Sequence, residues 1–322
     1  MSSRLQLVAL ALLAGLLASC DHGPQEVRIA IVTNGASPFW EPMQVGAERA
    51  AAELGCKVTI QHPARANSSE QIRLVENMVS QGVDGISVSP LDPDALTDTV
   101  QKAMAAGIPV ICMDSDAPNT GRLAYIGTIN YKAGQAAGEA TKKVFPNGAK
   151  MVAQVGSLTA QNARDRLAGF KDAVDGAGIE IVEIMTDDIN APKAQGNAET
   201  ALQKYPDMAA FLCLYSYNAP AAARALESVG KVGQVKIIGF DAEPQTLEYL
   251  EKGVIDVCIG QKPYEFGRRS VELLYRIKTE GRDKVLSELP DDRVIDTGVD
   301  VITRDNLPAY KENLARLGIK SS

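Results

Sequence analysis

Residues 27–60 read VRIAIVTNGASPFWEPMQVGAERAAAELGCKVTI, and this stretch decides the fold. Val27 to Thr33 is an apolar strand, Pro38 to Leu54 has helical spacing, and Val58-Thr59-Ile60 is a second strand. Strand, helix and strand in that order make a βαβ unit, whose two strands run parallel. Between the first strand and its helix lies TNGASPFW, which holds the only Trp among 322 residues. The breakers Asn34, Gly35, Ser37 and Pro38 put Phe39 and Trp40 on a loop, where water reaches a ring.

The unit repeats along the chain. Ser68 to Ser80 is a helix, with Ser69 as its expected cap. Gly85 to Ser89 is a strand, Asp92 to Ala106 a helix and Ile108 to Met113 a strand. Near-continuous apolar strands such as IPVICM suit sheets covered on both faces. The pattern restarts after about Thr128. Met151 to Val155, Ile179 to Ile184, Ala210 to Leu214, Val235 to Phe240 and Ile255 to Ile259 read as strands with helices between them. A polar stretch, Thr186 to Gly196, reads as a loop entering a helix at Pro192. Gly298 to Ile302 and Leu307 to Leu317 add one strand and one helix. The class is therefore α/β, with two parallel sheets in series and no low-complexity linker.

Composition narrows the partners. A net charge of −7 supplies no dense cationic face for nucleic acid. Residues 1–20 have a short positive start at Arg4, an apolar run from Leu5 to Leu17, then Leu17-Ala18-Ser19-Cys20. That is an export signal, shorter than the roughly 20 residues of a bilayer span. Its end resembles a lipobox, which implies cleavage before Cys20 and a membrane anchor on its thiol. Ordinary cleavage beside an incidental Cys is the alternative. Residues 21–26 form a tether. Cys56, Cys112, Cys213 and Cys258 are expected to be buried free thiols, although an exported protein could pair them.

Ligands of open parallel sheets sit beyond the carboxyl ends of the strands. The residues that follow the strands are Phe39 and Trp40, then Asp114-Ser115-Asp116, Arg164 and Arg166, Tyr215 to Asn218, Asp241 and Gln261. Aromatic faces pack on the C–H faces of a sugar, carboxylates accept from hydroxyl pairs and Arg donates through a planar fork. Each has a bland alternative: a helix cap for Asp241, a solvated residue for Arg164, a staple of the first helix for Phe39 and Trp40, rim packing for Tyr215 or Tyr217, crossover support for Gln261. Their common location carries the argument. For catalysis the set is poor. His22 and His62 are the only histidines, and no HExxH, GxSxG or Walker-type loop is present. Asp114 and Asp116 alternate along the chain, which argues against a paired acid and base. The expectation is a binding protein rather than an enzyme, without cofactor or metal.

SPFW, PVICMDSD, NARDRLAGF, VKIIGFDAE and IGQKPYEFG resemble, in order, the landmarks of ribose-type periplasmic sugar-binding proteins, the type I substrate-binding components of ABC importers. The resemblance spans Val27 to Lys278. It implies two Rossmann-like lobes joined by three crossovers that close on a ligand like a hinge. Residues 25–128 with 262–290 would form the first lobe, and 129–261 with 291–322 the second. The crossovers would lie near Gly127-Thr128, Gly260-Gln261 and before Val299. By position, Phe39 and Trp40 would stack on the sugar, with Trp40 exposed in the open form. Asp114 and Asp241 would accept from hydroxyls, Arg164 would donate to the ring, and Gln261 would bind at the hinge, with Tyr215 adding a ring.

Four departures leave ribose no better matched than another pentose, a hexose or a polyol. Ser37 stands where ribose binders have Asn, and Ser115 where they have Arg. Ile189 replaces an aromatic, and Tyr215 replaces an Asn. The implied function is capture of a neutral monosaccharide or polyol by a monomeric lipoprotein, for delivery to an ABC permease. A receptor for chemotaxis, a sensor kinase or a furanosyl quorum signal is the alternative. A Lac-repressor-type regulator would need a helix-turn-helix where the export signal stands.

Overall fold

The computed structural model describes residues 26–65 and 67–320. The export signal and Cys20 lie outside the described residues. β1 (Arg28–Val32), β2 (Lys57–Gln61), β3 (Gly85–Val88), β4 (Val110–Met113) and β5 (Tyr125–Gly127) pair in parallel in the first lobe. β6 (Ala149–Val155), β7 (Ile179–Thr186), β8 (Ala210–Cys213), β9 (Lys236–Phe240) and β10 (Val257–Gly260) do so in the second. The chain then returns to the first lobe, where β11 (Val294–Asp296) pairs with β5. It ends in the second, where β12 (Asp300–Ile302) runs antiparallel to β10. The sheet orders are β11-β5-β4-β3-β1-β2 and β12-β10-β9-β8-β6-β7, so one lobe repeats the plan of the other.

Amphipathic helices cover both faces of each sheet with their buried sides. In the first lobe these are α1 (Glu41–Leu54), α2 (Ser68–Ser80) and α3 (Pro93–Ala105). The second lobe has α4 (Asn130–Val144), α5 (Gln161–Ala173), α6 (Ala191–Lys204), α7 (Asn218–Ser228) and α8 (Pro244–Lys252). α9 (Pro263–Glu280) and α10 (Arg282–Ser287) rejoin the first lobe, and α11 (Leu307–Arg316) closes the second. The cap of α2 is Asn67, whose side chain accepts from the Glu70 N–H, and not Ser69, which lies inside the helix.

Three short crossovers connect the lobes, at 128–129, 261–262 and 297–299. Asp296 ties the first to the third by accepting from the backbone N–H groups of Ile129 and Gly298. Lys262 pairs with Asp300 between the second and third. Residues 291–296 were expected in the second lobe, but β11 places Val294–Asp296 in the first sheet. β5 and β11 are three residues each, too short for an alternation to register; β5 is held between β4 and β11, and β11 pairs with β5 alone.

In each lobe, one helix that follows a crossover packs backbone to backbone on the helix after the lobe's first strand. A Cβ at Gly46 would fall on the Tyr264 carbonyl, and one at Gly267 on the Met43 carbonyl. A Cβ at Gly134 would fall on the Arg166 carbonyl, and one at Gly169 on the Tyr131 carbonyl. Glycine inside a helix costs about 1 kcal/mol against Ala; here it allows each crossover helix to seat. Gly196 of α6 meets open space instead. Gly134→Ala should therefore destabilise the protein by about 1–3 kcal/mol, while Gly196→Ala should stabilise it by up to about 1 kcal/mol. Thermal unfolding of the two variants checks the opposite signs.

Candidate sugar-binding cleft

Between the lobes lies a cleft of about 630 Å³, at the carboxyl ends of both sets of strands. Asp114 follows β4 and Asp241 follows β9, the equivalent strands of the two sheets. Both have left-handed backbones, φ 61° and 69°, a region that a short polar side chain tolerates better than most. The turn aims each carboxylate into the cleft. Asp114 and Asp241 are 3% and 5% exposed.

Their partners are few. Ser89 Oγ donates to Asp114 Oδ2 at 2.8 Å, and Gln261 Nε2 donates to Asp241 Oδ1 at 2.8 Å. Asp241 Oδ2 stands 3.9 Å from Arg166 Nη1. Burial pushes the Asp114 carboxyl up to about 6, against the opposing pull of Arg166. It pushes Asp241 up as well, again opposed by Arg166. Arg166 Nη2 and Gln261 Oε1 are buried without a hydrogen-bond partner, and both residues line the cleft. A donor and an acceptor held dry and unpaired cost free energy until a ligand pairs them.

Arg166 takes the place expected of Arg164. The inward face of α5 carries Asn162, Ala163, Arg166, Leu167 and Phe170, and Arg166 is 2% exposed. Its guanidinium lies 4.7 Å over the Phe240 ring, and Nη1 donates to the Leu214 carbonyl at 2.7 Å. Arg164, two residues earlier, points outward. It is exposed and donates to the Leu158 and Thr159 carbonyls and to Gln161. Arg164 is thus held on its own loop, away from the cleft.

Trp40 also differs from expectation. It is 3% exposed, and the 3₁₀ turn Pro38–Trp40 runs straight into α1. That puts Trp40 in phase with Met43, Ala47 and Ala50 on the core face. Phe39 rests edge-on against it, centroids 4.9 Å apart, and is the half-buried ring of the pair. Trp40 serves as the support for Phe39 and touches the cleft only at its edge.

The second lobe adds Tyr215 and Tyr217, edge to face at 6.0 Å. Gly156 leaves room for them, since a Cβ there would meet the Tyr215 ring and the Tyr217 hydroxyl. Asp187, fully buried, accepts from Tyr217 OH at 2.6 Å and from Asn218 Nδ2 at 2.8 Å. It fastens the loop that carries Ile189, itself at φ 59° on the cleft wall. Glu243, at the start of α8, lines the mouth and accepts from Ser37 Oγ at 3.4 Å across the lobes. Asp116 lies apart from this set, held bidentate by Arg122 at 2.6 Å through both of its oxygens. The four described cysteines are free and buried.

A second cavity of about 440 Å³ lies on the flank of the hinge, between Pro42, Tyr264, Tyr310, Leu314 and Ile319. It shares Phe39, Asp241 and Gln261 with the cleft but is largely apolar. Asp114 and Arg166 line only the larger one.

Two lobes with strand-end polar groups facing a shared cleft define a bilobal solute-binding protein. Residues 29–283 match the family model described as "Periplasmic binding protein domain", and the chain belongs to that family. It is 30% identical over 294 residues to a D-ribose/D-allose-binding protein of Pseudomonas aeruginosa, spanning 87% of this chain and 90% of the relative. A solute-binding protein of an ABC transporter from Burkholderia graminis, solved with D-arabinose, superposes with a TM-score of 0.82 at 30% identity. That match covers 88% of this chain and 97% of the other. GanP, a glucose-galactose binding protein from Geobacillus stearothermophilus, gives 0.81 at 32% identity, covering 88% and 99%.

A carboxyl that binds its proton more tightly folded than unfolded weakens the fold as pH rises. For Asp114 that window runs from the ordinary value of about 4 to about 6, because the folded chain there holds a proton that the unfolded chain has lost. Asp114→Asn removes the penalty. The ligand-free variant should melt a few degrees above the parent at pH 7.5 and level with it at pH 4, as read by calorimetry.

Proposed function

We propose that this protein is an extracytoplasmic solute-binding lipoprotein. It captures a neutral monosaccharide or polyol between its lobes and delivers it to an ABC importer. One observation carries the reading. Asp114 and Asp241 enter one cleft from opposite lobes, Arg166 stands beside Asp241, and the unpaired Arg166 Nη2 and Gln261 Oε1 wait for hydroxyls. The names of the relatives, which bind ribose, allose, arabinose, glucose or galactose, support the same class. The cleft disfavours an anion, because two buried carboxylates, Asp114 and Asp241, face one buried guanidinium, Arg166.

The mechanism is closure. A sugar that bonds both carboxylates and the guanidinium contacts both lobes at once, and those contacts exist only in the closed form, so binding shifts the equilibrium toward it. Phe39, backed by Trp40, covers an apolar sugar face. A lipid on Cys20 would hold the protein at the membrane, with residues 21–26 as the tether, and the permease would engage the closed lobes.

Thermal shift and calorimetric titration of residues 21–322 test this with D-ribose, D-allose, D-arabinose, D-galactose and myo-inositol. At least one should bind saturably and raise the melting temperature. Arg166→Ala or Asp241→Ala should lose more than about 100-fold in affinity, since each leaves a charged, buried partner unpaired. Arg164→Ala should stay within about twofold. A loss with Arg164→Ala and none with Arg166→Ala would reverse the assignment.

A further inference from the structure

The first crossover carries a buried chain of hydrogen bonds that joins the binding groups of the two lobes. Tyr125, on β5 of the first lobe, donates its hydroxyl to the Asp114 carbonyl at 2.7 Å. The Thr128 carbonyl, in the crossover itself, lies 3.0 Å from the same hydroxyl. Asn130 is the first residue of α4 in the second lobe. Its Nδ2 donates to the Thr128 carbonyl at 3.0 Å and lies 3.4 Å from the Tyr125 hydroxyl. Its Oδ1 accepts from Arg166 Nε at 2.9 Å. Tyr125, Asn130 and Arg166 are all more than nine-tenths buried, so water does not substitute for any link.

The orientation of the Asn130 amide follows from its neighbours. A carbonyl on one side can only accept and a guanidinium on the other can only donate, so nitrogen faces Thr128 and oxygen faces Arg166. Arg166 therefore has two of its three nitrogens committed, Nε to Asn130 and Nη1 to the Leu214 carbonyl. Only Nη2 is left unpaired. One of the two groups that aim the guanidinium is thus attached to the crossover, one residue past the segment that must rotate when the lobes open.

We infer that Asn130 is a positioning residue that couples hinge closure to the aim of Arg166, with Tyr125 as its counterpart on the first lobe. The inference rests on the sugar-cleft reading above. Rotation at 128–129 moves Tyr125 and Thr128 relative to α4. The longest link, Asn130 to Tyr125, joins side chains of the two lobes directly and is the one that opening breaks first. Closure restores it, and the guanidinium then meets the ligand already oriented.

The test uses Tyr125→Phe, Asn130→Ala and the double variant of residues 21–322. Binding rates are measured with whichever of D-ribose, D-allose, D-arabinose, D-galactose and myo-inositol binds the parent. Tyr125→Phe, the milder change, should weaken affinity about 3- to 10-fold, chiefly through faster dissociation. Asn130→Ala should weaken it about 10- to 100-fold. In the double variant the Tyr125 effect should shrink, because the part of its coupling that reaches Arg166 runs through Asn130 while its bond to the Asp114 carbonyl does not. Multiplicative losses in the double variant, or parental rates in Tyr125→Phe, overturn the inference while leaving the sugar reading intact. A parent that binds none of the five sugars overturns both.

Discussion

A single guanidinium, Arg166, holds the cleft together. Two carboxylates from different lobes are buried beside it with little other charge compensation. Removing charges from water costs several kcal/mol each unless a partner answers them. Arg166 answers both, and its own position is over-determined by Asn130, the Leu214 carbonyl and the Phe240 ring. Burial still raises the proton affinity of Asp114 and Asp241 against the pull of Arg166, so part of that cost is left unanswered. That residue of unfavourable energy is what a sugar's hydroxyls relieve, so a strained empty site and a useful ligand site are the same thing.

The duplicated lobe plan explains how two half-sites come to face each other. Equivalent strands, β4 and β9, each end in an Asp with a left-handed backbone. Equivalent helix pairs, α1 with α9 and α4 with α5, close backbone to backbone through paired glycines. In both lobes, therefore, a helix entered from a crossover is rigidly locked to the helix that begins at the cleft. Rotation at the hinge then moves whole binding surfaces as bodies, and the packed interiors stay intact.

Much of this was legible in the residues alone, and the exceptions have physical reasons. The apolar strands alternate with helices clearly enough to give two α/β sheets. The rule that ligands sit at strand carboxyl ends led to Asp114, Asp241, Gln261 and Tyr215. Arg164 and Arg166 both stand in NARDRLAGF, and only helical phase separates them: Ala163, Arg166 and Phe170 share the inward face. The same phase, Trp40 with Met43 and Ala47, marks Trp40 as core although it follows a run of breakers. Those two signals were present in the sequence. Asn130 and Asp187 carried no such signal, since their roles depend on Arg166, Tyr125 and Tyr217, distant in the chain. β5 and β11 were invisible because each is only three residues long, and β11 is a strand only because β5, far back in the chain, supplies its partner.

The most direct measurement is a crystal structure of residues 21–322 grown with the sugar that raises the melting temperature most. The account predicts the sugar in the larger cleft, bonded to Asp114, Asp241, Arg166 Nη2 and Gln261 Oε1, with one face against Phe39. A sugar seated instead in the apolar cavity beside Tyr264 and Tyr310, or one that leaves Arg166 Nη2 unpaired, would contradict it.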